Sequence, residues 1–269
     1  MKIMIRSDIE GVTGVTTYAE AEKSEFGRQM LMNDLMACID GLIAGGADEL
    51  VVYDEHTDGR NVDMATLPAN VSVIRGKPHY TPDWGGIDDS FNAMVMVGFH
   101  AKSGVAGALL PHSYSRKNLD IRLNGISVGE IGMEAAVAGD FGVPLWLVTG
   151  DSAGMKEAEE QVAGVQTVTV KEAMGEAQAL CYAPVKTAAR IKAAAQNIVK
   201  NPPPVKPFKI AGPVTMEIDL AVSDYTEKLK SLRAGLFKSG QTIVLNGKSV
   251  TDVWSQYLHI QDDVKKKLK

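Results

Sequence analysis

Cysteine is scarce in this 269-residue chain: there are two, Cys38 and Cys181, far apart and outside any metal-ligand spacing. That excludes a disulfide framework and a thiolate metal site. No secretory pattern precedes them, so a reducing, cytoplasmic setting is expected. No apolar run reaches the roughly 18 residues of a membrane span. Positive charge is not in excess either, with 28 Lys and Arg against 33 Asp and Glu and a net charge of −5. This argues against a general nucleic-acid binder and against docking on anionic lipid. What remains is ordinary for a folded chain, 45% hydrophobic and 23% charged, and long enough to bury a sizeable core. Histidine is also sparse, at five residues, and three of them fall beside acidic residues or at the ends of predicted strands.

The chain begins with an apolar strand, Lys2 to Arg6, that ends in Ser7-Asp8. A turn through Gly11 to Gly14 leads to a helix in which Leu31, Leu35, Cys38, Ile39 and Leu42 form one stripe, stopped by Gly45-Gly46. Leu50 to Tyr53 is a second strand, so strand, helix and strand within about fifty residues make a βαβ unit and predict a parallel sheet. Further strands are expected at 71–74, 93–98, 119–123 and 145–148, with Asn124-Gly125 marking a tight turn. Helices are expected at 129–140, 156–162 and 185–199. The predicted fold is α/β, a Rossmann-like, mostly parallel sheet with helices on both faces. Asn201 to Pro207, with four prolines, reads as a stiff connector. It divides an α/β metal-binding catalytic domain (1–202) from a small C-terminal α+β domain (203–269). The closing Lys265 to Lys269 run reads as a solvated helix end.

In open α/β sheets, ligands collect beyond the carboxyl ends of the strands. Asp8 with Glu10, His56 and His100 each follow a different predicted strand there. Two carboxylates two residues apart face one side of an extended chain, and a cation relieves their repulsion; the plain alternative is a turn cap beside a solvated acid. A lone histidine at a strand end is commonly structural, yet two imidazoles converging with two carboxylates form the ligand set of zinc, manganese or cobalt. Glu130 either closes a capping box with Ser127 or faces the mouth of the sheet as a further ligand. His112, in Pro111-His112-Ser113, reads equally as a ligand, a general base or a plain loop residue. Asp151 is expected to cap a helix, and His79 and His259 are given no role.

Taken in order, Ser7-Asp8-Ile9-Glu10-Gly11, Asp54 with His56, Gly98-Phe99-His100-Ala101, Pro111-His112-Ser113 and Val128-Gly129-Glu130-Ile131-Gly132 resemble the signatures of the D-aminopeptidase family, peptidase family M55. The resemblance covers roughly residues 1–160. It implies a hydrolase holding two Zn2+ per chain (Mn2+ or Co2+ as alternatives) that removes an N-terminal residue, a D-amino acid, from short peptides. Carried over residue by residue, Asp8 would bridge the metals, Glu10 and His56 would complete one ion, and His100 and Glu130 the other. His112 matches the family's catalytic histidine. Glu55 stands where the family commonly has serine, which bears on substrate charge preference or metal affinity. The resemblance also implies a homo-oligomeric ring, a decamer of two pentamers, with active sites facing an internal chamber. Charge arithmetic agrees: three carboxylates against two divalent ions reach neutrality with one bridging hydroxide, the nucleophile that amide hydrolysis needs.

Two rivals remain at this stage. Asp8-Ile9-Glu10-Gly11-Val12-Thr13 is superficially similar to the nucleophile loop of haloacid-dehalogenase-type magnesium phosphatases. That reading leaves three histidines idle and finds Met155 where a second acid is needed. A metal-binding scaffold without turnover is the other, since fold does not imply function.

Overall fold

The structure, a computed structural model, describes residues 1–76, 86–175 and 177–268; His79 lies outside the described residues. In chain order the elements are β1 (Lys2–Ser7), α1 (Tyr18–Lys23), α2 (Glu25–Gly45), β2 (Glu49–Asp54), β3 (Val71–Ile74), β4 (Ala93–Phe99), β5 (Asn118–Leu123) and β6 (Ile126–Val128). They continue as α3 (Glu130–Asp140), β7 (Leu145–Asp151), α4 (Ser152–Gln161), β8 (Gln166–Gly175), β9 (Gln178–Cys181) and α5 (Pro184–Lys200). The last are β10 (Val214–Leu220), α6 (Asp224–Leu232), β11 (Phe237–Ser239), β12 (Thr242–Gly247) and α7 (Val250–Leu268).

Seven strands form the main sheet in the order β3-β2-β1-β4-β7-β8-β9, parallel except for the β8–β9 hairpin at one edge. Every residue of β4 and β7 is buried, as expected of parallel strands covered on both faces. From β1 the chain winds outward through β2 and β3 and then returns to place β4 on the other side of β1. That reversal is a topological switch point, the crevice where such sheets hold ligands. Asp8, at the end of β1, and His100, at the end of β4, flank it.

Helix α2 ends where Gly46 adopts φ 108° and its N–H turns back to Leu42 and Ile43. It packs on α5 at close range, because a Cβ at Gly41 would lie 2.3 Å from the Lys192 carbonyl oxygen. Helix α3 is buried from Glu130 to Gly139 and packs on β4, α4 and α7, joining the main sheet to the second one. The expected helix at 156–162 starts earlier, at Ser152, because the Asp151 side chain accepts from the amides of Ala153 and Gly154. Asp151 thus caps a helix as expected, while Ser152-Ala153-Gly154 carries no apolar stripe to extend the helical pattern back to it.

The second sheet is antiparallel, in the order β11-β12-β10-β5-β6. The β5–β6 hairpin turns at Asn124 (φ 48°) and Gly125 (φ 84°), as the Asn-Gly pair predicts. β5 and β6 precede the proline-rich connector, whereas β10, β11 and β12 follow it, and β5 pairs directly with β10. The division expected at 202/203 thus separates strands that hydrogen-bond to each other. Prolines there end α5 and carry the chain across, and both stretches build one sheet.

Gly41→Leu drives a side chain into the α5 backbone and should cost about 1–3 kcal/mol of stability. Denaturant titration measures this; an unchanged midpoint would show that α2 and α5 do not pack this closely.

Candidate active site

Glycines at the strand ends let the loops after β1 and β4 close on each other. A Cβ at Gly11 would sit 1.9 Å from the Phe99 carbonyl oxygen, and Gly98, at φ +82°, would place one 2.2 Å from the Asp8 carbonyl oxygen. The Asp8 and Gly11 amides donate to the carbonyls of Val97 and Gly98, at 2.9 and 2.8 Å. The loop bearing Asp8 and Glu10 is thereby laid along the end of β4, beside His100. A third carboxylate arrives on α3. Gly129 is the N-cap and no capping box forms, so the Glu130 side chain turns away from its own helix. Its Oε1 accepts from the Tyr114 amide at 2.6 Å. Of the two readings open for Glu130, the geometry takes the one facing the sheet.

All five residues Asp8, Glu10, His56, His100 and Glu130 are buried and gather in one place. His56 Nδ1 lies 2.8 Å from Asp8 Oδ1 and 3.0 Å from Glu10 Oε2. His100 Nε2 lies 3.5 Å from Asp8 Oδ2 and 3.4 Å from Glu130 Oε1. His112 joins them: its Nε2 is 3.6 Å from Glu130 Oε1 and 3.9 Å from Glu10 Oε1, and its ring stacks on His100 at 4.2 Å. His100 Nδ1 donates to the Ala101 carbonyl and His112 Nδ1 to that of Leu110. Both Nε2 atoms are thus turned toward the carboxylates. The His112 side chain is 13% exposed and that of His100 1%, so His112 is the ring at the opening. Asp8, Glu10, His56, His112 and Glu130 line a cavity of about 360 Å³ together with Tyr18, Glu22, Glu55, Tyr114, Ser115, Arg116 and Lys265, among others, and His100 lies stacked against His112.

The electrostatics are those of crowded acids seeking cations. Burial opposes charge on Glu10, Glu130, His56 and His100, and the neighbours outweigh it. Asp8 and Glu10 raise the His56 imidazole to about 11, and Glu130 and the other acids raise His100 to about 10. In return the histidines hold the Glu10 and Glu130 carboxyls below the ordinary carboxylate value. Four buried atoms, Asp8 Oδ2, Glu10 Oε2, His56 Nε2 and His100 Nε2, make no well-aligned hydrogen bond, although three of them face an opposite charge at 3.0–3.5 Å. Buried polar atoms are rarely left so, and these four are the atom types that bind transition metals. Two groupings have ligand atoms close enough for an ion: Asp8, Glu10 and His100, and His100, His112 and Glu130.

The expected sequence order is now matched by a whole-chain likeness. The D-aminopeptidase model of peptidase family M55 matches residues 1–258. The chain belongs to the D-aminopeptidase family. A D-aminopeptidase of Bacillus subtilis (strain 168) is 28% identical over 250 residues, covering 91% of this chain and 90% of that one. Among solved structures, the Zn-dependent D-aminopeptidase DppA from Bacillus subtilis, described as a self-compartmentalizing protease, superposes with a TM-score of 0.89. That match has 25% identity and covers 98% of both chains. The mixed α/β fold and the expected enzyme class, a metallo-aminopeptidase, both agree with this membership. The phosphatase-like reading of Asp8 has no such support.

Several residues that shape the site have no role assignable from the sequence, although Asp54 stands in one of the family motifs. Asp54 accepts from the amides of Asn61 and Val62 and from the Asn61 side chain, which fixes the loop that carries Glu55 and His56. Arg6, fully buried, lies 3.2 Å from Glu134 and 3.8 Å from Glu55. Burial works against its charge, but these two acids raise its pKa above the ordinary value. Glu134 also accepts from the Tyr114 hydroxyl at 2.6 Å, and the Tyr114 amide holds Glu130. Spacing does hint at this support: Glu134 is one helical turn from Glu130, and Arg6 is on the same face of the chain as Asp8.

Lys171 is the least expected of them. Buried in β8, its ammonium donates to the carbonyls of Glu10, Val12 and Val15 at 2.5–2.8 Å, while burial pushes its pKa down to about 8. One cation therefore clamps the loop that follows β1. Lys171→Met leaves three inward carbonyls without that donor, and a buried unsatisfied group costs about 1–3 kcal/mol. Amide hydrogen exchange should quicken across residues 10–16 and the melting temperature should fall. Wild-type exchange in that loop would mean that the ammonium does not hold it.

Proposed function

We propose that this chain is a di-zinc D-aminopeptidase that hydrolyses the N-terminal residue from short peptides. The observation that carries the proposal is the buried gathering of Asp8, Glu10, His56, His100 and Glu130, with four ligand-type atoms that make no well-aligned hydrogen bond. The donor set fits the ion: imidazole nitrogens with carboxylate oxygens suit zinc, and Mn2+ or Co2+ as alternatives, better than calcium or magnesium. Asp8 would serve both ions, Glu10 with His56 completing one and His100 with Glu130 the other. In the metal-free chain the raised imidazoles hold protons at neutral pH and balance the acids, so zinc loading displaces those protons. Zinc bound there supplies Lewis acidity at the scissile carbonyl and a nucleophile at neutral pH.

The remaining chemistry belongs to the chain itself. His112, at the opening, directs Nε2 inward because Nδ1 is committed to Leu110. From there it can donate a hydrogen bond to the oxyanion that develops at the scissile carbonyl, or pass a proton to the departing amine nitrogen. Tyr18 meets the outer edge of the His112 ring at 5.7 Å and limits its swing. A second reading comes from the grouping of His112 with His100 and Glu130, which would make His112 a ligand. Its greater exposure and its distances of 3.6–3.9 Å favour the catalytic role.

Stereochemistry and setting follow the relatives. The family description and the Bacillus subtilis enzymes are D-specific by name, so a D-residue is proposed at the N-terminus. A homo-oligomer with enclosed active sites is proposed from the self-compartmentalizing neighbour, with the decamer as its form. No helix among the described residues is long and apolar enough to cross a membrane, and the cytoplasm is the proposed location.

A panel of D- and L-aminoacyl dipeptides, assayed with and without chelator, tests this. The D-series should be cleaved faster and the chelator should abolish cleavage. His112→Ala should cost roughly 10²-fold or more in kcat with zinc content near wild type. Cleavage that survives the chelator would refute the metal mechanism, and a His112→Ala protein short of zinc would make that residue a ligand.

A further inference from the structure

The cavity has two chemically different ends. Its floor holds Asp8, Glu10, Glu130, His56 and His112. Arg116 and Lys265, both exposed, are its lining lysine and arginine side chains, and Glu22 lines it as well. Arg116 is not free to wander. Its guanidinium lies over the Tyr18 ring, 4.8 Å from the centroid, and Tyr18 in turn meets the His112 ring. A continuous ladder therefore runs from His100 through His112 and Tyr18 to Arg116. Lys265 comes from the far end of the chain. Helix α7 brings it there because Trp254 packs on Tyr114 at 4.4 Å and the Tyr257 hydroxyl donates to Asn118. The lysine run expected to be plain solvated helix end thus supplies one side chain to the cavity.

We infer that Arg116, assisted by Lys265, is a subsite for the C-terminal carboxylate of the peptide, which selects substrates that end one or two residues beyond the scissile bond. This rests on the aminopeptidase reading of the same cavity. A peptide chain advances at most about 3.3–3.6 Å per residue. From a scissile carbonyl beside His112, a short peptide brings its carboxylate to the far side of Tyr18, where the guanidinium waits. A volume of about 360 Å³ is at the small end of ligand cavities, which suits such a peptide better than a long one. Guanidinium is also the side chain best matched to a carboxylate, through two parallel N–H donors.

The zinc-loaded enzyme tests this with D-alanyl-glycine and its C-terminal amide, which differ only in the terminal charge. The free acid should have a kcat/KM about tenfold higher, the difference lying in KM, as expected for one charge-assisted contact. Arg116→Gln should bring the acid-to-amide ratio to about one, Arg116→Lys should retain part of it, and Lys265→Gln should lower it about threefold. A pseudodipeptide with CH2–NH in place of the scissile amide, as acid and as amide, gives the same ratio by calorimetry without turnover. Equal affinities of the two pseudodipeptides for the wild type, or a preference that survives Arg116→Gln, would overturn the subsite. Failure to cleave either dipeptide, with the acid pseudodipeptide still preferred through Arg116, would instead sink the aminopeptidase reading and leave a carboxylate site.

Discussion

Three buried carboxylates, Asp8, Glu10 and Glu130, share one cavity floor, and like charges so placed must be offset or one must take up a proton. Much around them answers that demand. His56 and His100 are drawn to high pKa by the acids, and Arg6 holds Glu134 and Glu55 just behind them. Two further features let the acids approach at all. The missing side chains of Gly11 and Gly98 allow the β1 and β4 loops to touch, and the Lys171 ammonium gathers the carbonyls of residues 10–15. Divalent cations answer the same charge demand with an orientation that protons lack, which is why this geometry suits zinc.

The parallel sheet converts this local demand into a site. β1 lies between β2 and β4, so residues 8–10, 56 and 100, scattered in sequence, leave adjacent strands at the same edge. Helix α3 then delivers Glu130 from the side of the second sheet. That sheet is more than an appendage, because its strand β5 follows the loop that carries His112 and Tyr114, and α7 packs on the same loop through Trp254. The cavity end of the molecule is thus braced by residues nearly 140 positions further along the chain.

Most of the main sheet was legible because apolar runs such as 93–98 and 145–148 are bounded by polar residues and glycine. Acid and histidine at successive strand ends made the floor of the site legible too. Other parts went unread. β8 was not anticipated although Thr167-Val168-Thr169-Val170 alternates as a strand does, and β9 is a short run without a clear pattern. Pairing between β5 and β10 depends on contacts about ninety residues apart, which periodicity does not report, so the proline connector looked like a domain boundary. Lys171 sits in a β-strand among ordinary neighbours, and only the fold reveals that its ammonium lies beneath Glu10.

Anomalous scattering at the zinc edge, from crystals of the zinc-loaded protein, bears most directly on this arrangement. The charge balance and donor set predict two peaks per chain on the cavity floor. One should be bound by Asp8, Glu10 and His56 and the other by Asp8, His100 and Glu130, with His112 bound to neither. A single peak, or a peak coordinated by His112, would contradict it.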